Sequence, residues 1–488
     1  MRLQVLAEVA AELEVPPGCG DLEISGLTAD SRAVEPGWLF AALPGSKANG
    51  AEFVGDAIAR GARAILMPDE AGITLPNGVA RLPAREPRRA LAQLAARFWG
   101  PQPGTIVAVT GTSGKTSVAE FARQIFARHG RAAASLGTLG LVRAGGASYG
   151  ALTTPDPVTL HQTLARLAQE GVTHLALEAS SHGLDQHRLD GVAMRAAAFT
   201  NLGRDHLDYH ASLAAYLAAK LRLFSEVLPR HGTAVINADA AQAAAAIAAA
   251  AGAGRKVFSV GRAGHDLVLE SQTPAGFAQR LRLRHGGVVA ELRLPLLGEY
   301  QAHNALVAAG LVIASGEAAG AALAALEHLE GVKGRLEIVG QVRGALIVID
   351  YAHKPDALAA ALTALQPFAP GRIVCLFGCG GDRDRGKRPI MGRIASELSG
   401  SVIVTDDNPR SEDAAAIRAE ILAGAPAARE IGDRQEAIRA GVRLLAPGDV
   451  LLIAGKGHET GQIIGSTIVP FSDHAAVRAA LAEAPFNA

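Results

Sequence analysis

Asp407-Asn408-Pro409-Arg410 places an acid and an arginine in one proline-stiffened turn, directly after the apolar run Val402-Ile403-Val404. An aspartate accepts from an ammonium group, and an arginine offers a planar fork to a carboxylate, so the run suits an amino acid as ligand. The bland alternative is a solvated turn. A second run, Thr110-Gly111-Thr112-Ser113-Gly114-Lys115-Thr116-Ser117, joins a β-branched stretch to a helical one. Strand, glycine-rich turn and helix together make a phosphate cradle. The glycines let backbone N–H groups approach the phosphates, Lys115 reaches the outer oxygens, and the Thr116 hydroxyl suits Mg²⁺. The strict pattern wants a further glycine where this chain has Val109.

Two more segments carry candidate chemistry. Glu178 follows the strand-like Thr173-His174-Leu175-Ala176-Leu177, and a carboxylate there is placed to hold a nucleotide's Mg²⁺. An isolated glutamate would instead be a surface acid. Asn201-Leu202-Gly203-Arg204-Asp205-His206 leads through Asp208-Tyr209-His210 to a helix containing Lys220. On spacing alone, His206 reads as a hydrogen-bonded loop histidine and Lys220 as a helix lysine whose stem lies along apolar surface.

These residues need strands to present them. Thr105-Ile106-Val107-Ala108-Val109 is a continuous β-branched run, expected of a strand buried on both faces. Ala345–Asp350, Ile373–Phe377, Val402–Val404 and Val450–Ala454 repeat that pattern in the last third of the chain. Helices are expected near Phe53–Gly61 and Pro87–Trp99 and over Val118–His129, and Gly100-Pro101-Gln102-Pro103-Gly104 reads as a linker. Alternation of helix and strand patterns to about Gly334 predicts an α/β fold with a mostly parallel sheet.

At 488 residues the chain exceeds one ordinary core, so several domains are expected. Lys plus Arg (47) balances Asp plus Glu (47), so no global field draws nucleic acid or an anionic membrane, and an anionic substrate must be caught locally. Three cysteines, Cys19, Cys375 and Cys379, lack both a disulfide framework and zinc-site spacing, which fits a reducing cytoplasm. Glu8 falls where a signal peptide's apolar core would run, and the alanine-rich stretch from Ala240 to Gly254 is too short to span a bilayer.

The cradle, the Glu178 segment, Asn201–His210 with Lys220, Gly334-Arg335, Asp350-Tyr351-Ala352-His353 and Asp407–Arg410 occur in that order. With Thr28-Ala29-Asp30-Ser31-Arg32 near the start, the series resembles the Mur ligase family over essentially the whole chain. The resemblance implies three domains: a UDP-sugar-binding α/β domain over 1–100, a central ATPase domain over 101–334 and a Rossmann-like amino-acid-binding domain over 335–488. The implied activity is ATP-dependent addition of meso-2,6-diaminopimelate to UDP-N-acetylmuramoyl-L-alanyl-D-glutamate, through an acyl phosphate, during peptidoglycan synthesis. A monomer in the cytoplasm is expected, with small-molecule substrates, no nucleic-acid partner and no membrane insertion.

Carried over residue by residue, the resemblance gives Lys115, His206 and Lys220 catalytic roles. It assigns one Mg²⁺ to Thr116 and Glu178, and a second to His206 with Lys220 as a CO₂-derived carbamate. ATP would meet Gly111–Ser117, Asn237, Asp239, Asn304 and Arg335. The UDP-sugar peptide would meet Ala29, Ser31, Ser46, Lys47, Ala48, Thr153, Thr154, Ser180, Gln186 and Arg188. Diaminopimelate would meet Arg383, Asp407, Asn408, Pro409, Arg410, Gly455 and Glu459. The chain departs from the family pattern at Ser113, where Asn is usual, at Leu152 before the Thr-Thr pair, and at Lys354. The alternatives are a lysine-adding relative, a folylpolyglutamate synthase and a non-catalytic nucleotide switch. Lysine-adding relatives typically carry a residue other than Arg at the position of Arg410.

Overall fold

The computed structural model describes residues 1–45, 49–148 and 152–483, so Ser46, Lys47 and Ala48 lie outside the described residues. The chain forms two compact units, Met1–Val268 with Leu306–Ala322, and Leu269–Ala305 with Leu323–Ala488.

In the first unit, Gly26–Thr28, Trp38–Ala41, Ala64–Pro68 and Ala80–Ala84 form a parallel sheet in chain order. Leu39, Leu66 and Leu82 face Leu91 and Leu94 of the helix Pro87–Trp99, while Phe40, Ile65 and Met67 pack on Val54 and Ala57. Burial on both faces explains why Trp38–Ala41 and Ala64–Pro68 read as unbroken apolar runs, whereas Ala80–Ala84 alternates, with Ala80, Leu82 and Ala84 buried.

The same unit holds six parallel strands in the spatial order Ala133–Gly137, His174–Glu178, Thr105–Thr110, Met194–Phe199, Thr233–Asn237, Lys256–Gly261. Gly140–Arg143 and Gly146–Ser148 extend one edge antiparallel, so the expected parallel core carries an antiparallel margin. The chain lays strands first to one side of Thr105–Thr110 and then to the other. That reversal opens a crevice beside its carboxyl end, where open α/β sheets hold ligands. The helix after the cradle begins at Lys115, three residues before the expected Val118.

The second unit contains a six-stranded sheet in the order Glu337–Val342, Ala345–Asp350, Val450–Ala454, Ile373–Phe377, Ser401–Val404, Arg429–Glu430. Only the first strand is antiparallel to its neighbour. Val348, Cys375 and Leu452 pack on Leu358, Leu362 and Met391, and Ile347, Leu376 and Leu451 pack on Ile438 and Val477. Two antiparallel hairpins, Gln279–His285 with Val288–Leu294 and Gly461–Ile464 with Thr467–Pro470, belong to this unit. Among the described residues, no helix is long and apolar enough to cross a membrane.

One buried ion pair ties two helices of this unit to the sheet. Arg434, first in the helix Arg434–Arg443, donates to both carboxylate oxygens of Asp473 (2.7 and 2.8 Å) and to the Ala454 carbonyl (3.0 Å). Both side chains are 0% exposed. Removing one partner would leave the other charge buried alone, so Asp473→Ala is expected to cost about 3–5 kcal/mol of stability. The double change Arg434→Met with Asp473→Leu should recover most of that loss in denaturant titration.

Candidate active site

The strand Thr105–Thr110 delivers the loop at Gly111–Gly114, and Gly114 (φ +87°) turns it into the helix. The first N–H groups of a helix lack intrahelical partners and suit phosphate oxygens. The neighbouring strand end grips this loop by its backbone. The Thr112 N–H donates to the Asn201 carbonyl (3.0 Å), and the Ser113 N–H donates to Asn201 Oδ1 (3.0 Å). Thr200 Oγ1 and Asn201 Nδ2 donate to the Ser113 carbonyl at 2.7 and 3.2 Å.

Two lysines converge on one carbonyl. Lys115 Nζ and Lys220 Nζ each donate to the Gly111 oxygen at 2.8 Å, and Lys115 also reaches the Thr112 oxygen at 3.1 Å. Lys220 is 1% exposed and lies 4.3 Å from the Tyr216 ring centroid. Burial, reinforced by the Lys115 charge, pushes the Lys220 amine down to about 6, which favours its neutral form. Burial likewise pushes the Tyr216 phenol up to about 12. His206, in a left-handed conformation (φ +53°), has its ring 6.0 Å from that of Tyr216. Tyr216 therefore joins the two predicted ligands of the second Mg²⁺.

The register pairs Val109 with Glu178, setting that carboxylate beside the cradle. Glu178 accepts from the Thr138 N–H (2.8 Å) and hydroxyl (3.2 Å), and a Cβ at Gly137 would collide with it. Among the described residues no three His, Cys, Asp or Glu side chains gather as a metal cage. Few protein ligands and hard oxygens such as Glu178 and Thr116 suit Mg²⁺, which keeps waters and phosphate oxygens in its shell.

From Glu178 a chain of hydrogen bonds collects the residues predicted for the sugar peptide. Thr138 and Thr153 hydroxyls meet at 3.1 Å, Thr154 Oγ1 donates to the Glu178 carbonyl (2.8 Å), and the Ser180 N–H donates to Thr154 Oγ1 (3.1 Å). Arg188 donates to the Thr154 carbonyl (2.6 Å) and to Gln186 Oε1 (2.7 Å), and Gln186 Nε2 donates to the Tyr209 hydroxyl (3.1 Å). Ser180 Oγ itself caps the helix Ser181–Asp185. Ala29 and Ser31 stand apart from this chain, just past the strand Gly26–Thr28.

The second unit brings the amino-acid candidates together. Asp407 is buried, which pushes its carboxyl up, while Arg434 and Lys456 pull the other way. Asn408 Nδ2 donates to Glu459 Oε2 (3.0 Å), and Gly455 lies against Asp407. Arg410 (φ +52°) donates from Nη1 to the Gly381 carbonyl (2.8 Å), with Gly380 between it and Arg383. Any Cβ at Gly381 would strike the Pro409 carbonyl, so this loop pair requires glycine there.

Four predicted nucleotide contacts have their side chains or neighbours engaged within the protein. Asn237 donates to the Thr200 carbonyl (3.0 Å), and Asp239 accepts from the Arg262 and Ala263 N–H groups (2.8 Å each). Asn304 and Arg335 lie in the second unit, linked through Gln301, which accepts from Asn304 Nδ2 and donates to the Arg335 carbonyl (2.9 Å each). Arg335 stacks 4.9 Å from the Tyr351 ring. Sequence reasoning missed Thr138, Tyr216 and Lys456. Tyr216 lies one helical turn before Lys220, so that spacing was the signal for it. Thr138 and Lys456 act across 40 and 48 residues, on Glu178 and Asn408, and the one local signal for Lys456 is its spacing of three from Glu459.

Residues 109–312 match the Mur ligase middle domain, residues 334–457 the Mur ligase glutamate ligase domain, and residues 23–99 the catalytic domain of the Mur ligase family. The UDP-N-acetylmuramoyl-L-alanyl-D-glutamate--2,6-diaminopimelate ligase of Bradyrhizobium diazoefficiens is 58% identical over 97% of this chain and 98% of its own. The Agrobacterium fabrum protein of the same name is 57% identical over 95% of this chain and 94% of its own. A solved structure of a ligase so named superimposes with TM-score 0.76 at 32% identity, covering 99% of each chain. A Mycobacterium tuberculosis folylpolyglutamate synthase shares the fold alone, with TM-score 0.61 at 20% identity over 75% of this chain and 92% of its own. The three-domain α/β architecture is that of the Mur ligases, and the chain belongs to the Mur ligase family.

Proposed function

We propose that this chain joins meso-2,6-diaminopimelate to UDP-N-acetylmuramoyl-L-alanyl-D-glutamate at the expense of ATP, forming the tripeptide precursor of peptidoglycan. The observation that carries the reading is the pairing of a phosphate cradle with an Asp407–Arg410–Glu459 amino-acid site, in a chain 58% identical to a ligase of that name. The domain limits 1–100, 101–334 and 335–488 go with it, as does a cytoplasmic setting, where ATP and UDP-linked sugars are found.

A carboxylate is a poor electrophile. Its oxygen attacks the γ-phosphorus of ATP, ADP leaves, and the resulting acyl phosphate loses phosphate when the diaminopimelate amine attacks the acyl carbon. The Gly111–Thr116 N–H groups and Lys115 hold and neutralise the outer phosphate oxygens. Thr116 and Glu178 would hold one Mg²⁺, and His206 with carbamylated Lys220 the other. Bound there, the ions would supply charge neutralisation on the transferring phosphoryl group. Lys220 suits carbamylation because a buried, neutral amine is the form that captures CO₂, and the product is an anion. Thr153, Thr154, Ser180, Gln186 and Arg188 would orient the sugar peptide's carboxylates.

Two experiments test these assignments. In ¹³C-bicarbonate, the wild type is expected to show a carbamate resonance that Lys220→Ala lacks. That variant should lose most activity, with part restored by short-chain carboxylates. Full activity of Lys220→Ala would refute its role.

Diaminopimelate differs from L-lysine by a carboxylate beside its distal amine. Lysine would leave Arg410 without that anion, so competition between the two amino acids should give a tripeptide containing diaminopimelate. Arg410→Lys replaces a fork with a point charge and should cut the preference about tenfold or more. Mass analysis of the wild-type product decides: mainly lysine overturns the substrate reading and favours the lysine-adding alternative.

A further inference from the structure

Lys456 belongs to the turn that follows the strand Val450–Ala454, and its side chain is 0% exposed. A buried ammonium is costly unless anions and hydrogen bonds surround it in good geometry. Here Lys456 Nζ donates to Asn408 Oδ1 at 2.9 Å and to Glu459 Oε2 at 3.0 Å. Asn408 closes the triangle, its Nδ2 donating to the same Glu459 oxygen at 3.0 Å. The Ile463 N–H also donates to Asn408 Oδ1, at 3.0 Å. Two donors on Oδ1 fix the carboxamide's orientation, since the flipped amide would point its NH₂ at an ammonium and an N–H.

The triangle has a direction. Glu459 Oε2 takes two donors, while Oε1 takes no hydrogen bond from any described residue, and the Glu459 side chain remains 32% exposed. One oxygen is clamped and the other is left to accept from an incoming group. The backbone reinforces the clamp, because the Glu459 N–H donates to the Lys456 carbonyl at 3.0 Å and closes the turn.

We propose that Lys456 is a positioning residue of the amino-acid site: its buried ammonium orients Asn408 and Glu459 so that Glu459 Oε1 receives the ammonium group of the incoming amino acid. The inference rests on the reading that this unit binds diaminopimelate. Lys456 acts through Glu459 and touches no substrate atom. With the buried Arg434 it also supplies positive charge acting on the buried Asp407 carboxyl.

Steady-state kinetics on the full-length enzyme, varying each of the three substrates in turn, test the assignment. Losing a charge-assisted hydrogen bond in such a network corresponds to about ten- to hundredfold. Lys456→Met is therefore expected to raise KM for diaminopimelate by that factor, leaving KM for ATP and for the UDP-sugar dipeptide unchanged. Lys456→Arg, which keeps a buried cation, should fall between wild type and Lys456→Met. In a Glu459→Gln background, adding Lys456→Met should change KM for diaminopimelate by less than about twofold, because the pathway it acts through is already lost.

Fully additive effects, an unchanged KM for diaminopimelate, or an equal rise for all three substrates would overturn the proposal. Should Lys456→Met prove insoluble, Lys456→Arg alone decides by the same selectivity criterion. A wild type that fails to incorporate diaminopimelate is a separate result, overturning the functional reading before any variant is compared.

Discussion

Parallel pairing sets Val109 opposite Glu178 and Thr110 opposite Phe199, so three neighbouring strands of the first unit end at one level. In the second unit it sets Asp350 opposite Ala454 and Phe377 opposite Val404. Helices cover both faces of these strands, which leaves only the strand ends to meet a ligand. A slip of one residue would turn every side chain to the opposite face and remove Glu178 from the cradle. The chemistry therefore inherits its precision from apolar packing such as Ile106 against Leu175, not from the loops that carry it.

Both units bury lysines at these strand ends, in contrasting surroundings. Lys220 finds a carbonyl and an aromatic face rather than a close carboxylate, so burial, reinforced by the charge of Lys115 on the same carbonyl, favours its neutral amine. Lys456 finds the Glu459 carboxylate at 3.0 Å and the Asp407 charge beyond it. Coulomb attraction at such a distance offsets much of the desolvation cost when geometry is good. One lysine sits against a carbonyl and an aromatic ring, while the other is held by a carboxamide and a carboxylate.

Continuous β-branched runs made the buried strands legible: Ala345–Asp350, Ile373–Phe377 and Val450–Ala454 have the expected limits. The hairpin Gln279–Leu294 was not anticipated, although Leu281 and Leu283 alternate there with Arg280, Arg282 and Arg284, which is the pattern of a half-exposed antiparallel strand. The cradle helix begins early because Gly114 adopts a left-handed backbone that ends the loop at once. The roles of Thr138 and Lys456 are invisible in sequence for a plainer reason. Thr138 acts on Glu178 and Lys456 on Asn408, partners dozens of residues away that only the completed sheets bring within hydrogen-bond reach, and the local Lys456–Glu459 spacing does not reveal the triangle.

Motif residues need not touch the ligand their motif advertises. Asn201 spends its side chain on the Ser113 N–H and carbonyl, so it shapes the cradle through the backbone of position 113. The exposed Ser113 side chain is not part of that grip, so the identity of this residue is free of the constraint that fixes its backbone. Asn237 and Asp239 follow the same logic, bracing the Thr200 carbonyl and the Arg262–Ala263 backbone. A nucleotide held by backbone N–H groups depends on the carboxamides and carboxylates that hold that backbone still. Side-chain identity then matters most where a loop is gripped, and least where its surface side chains face water.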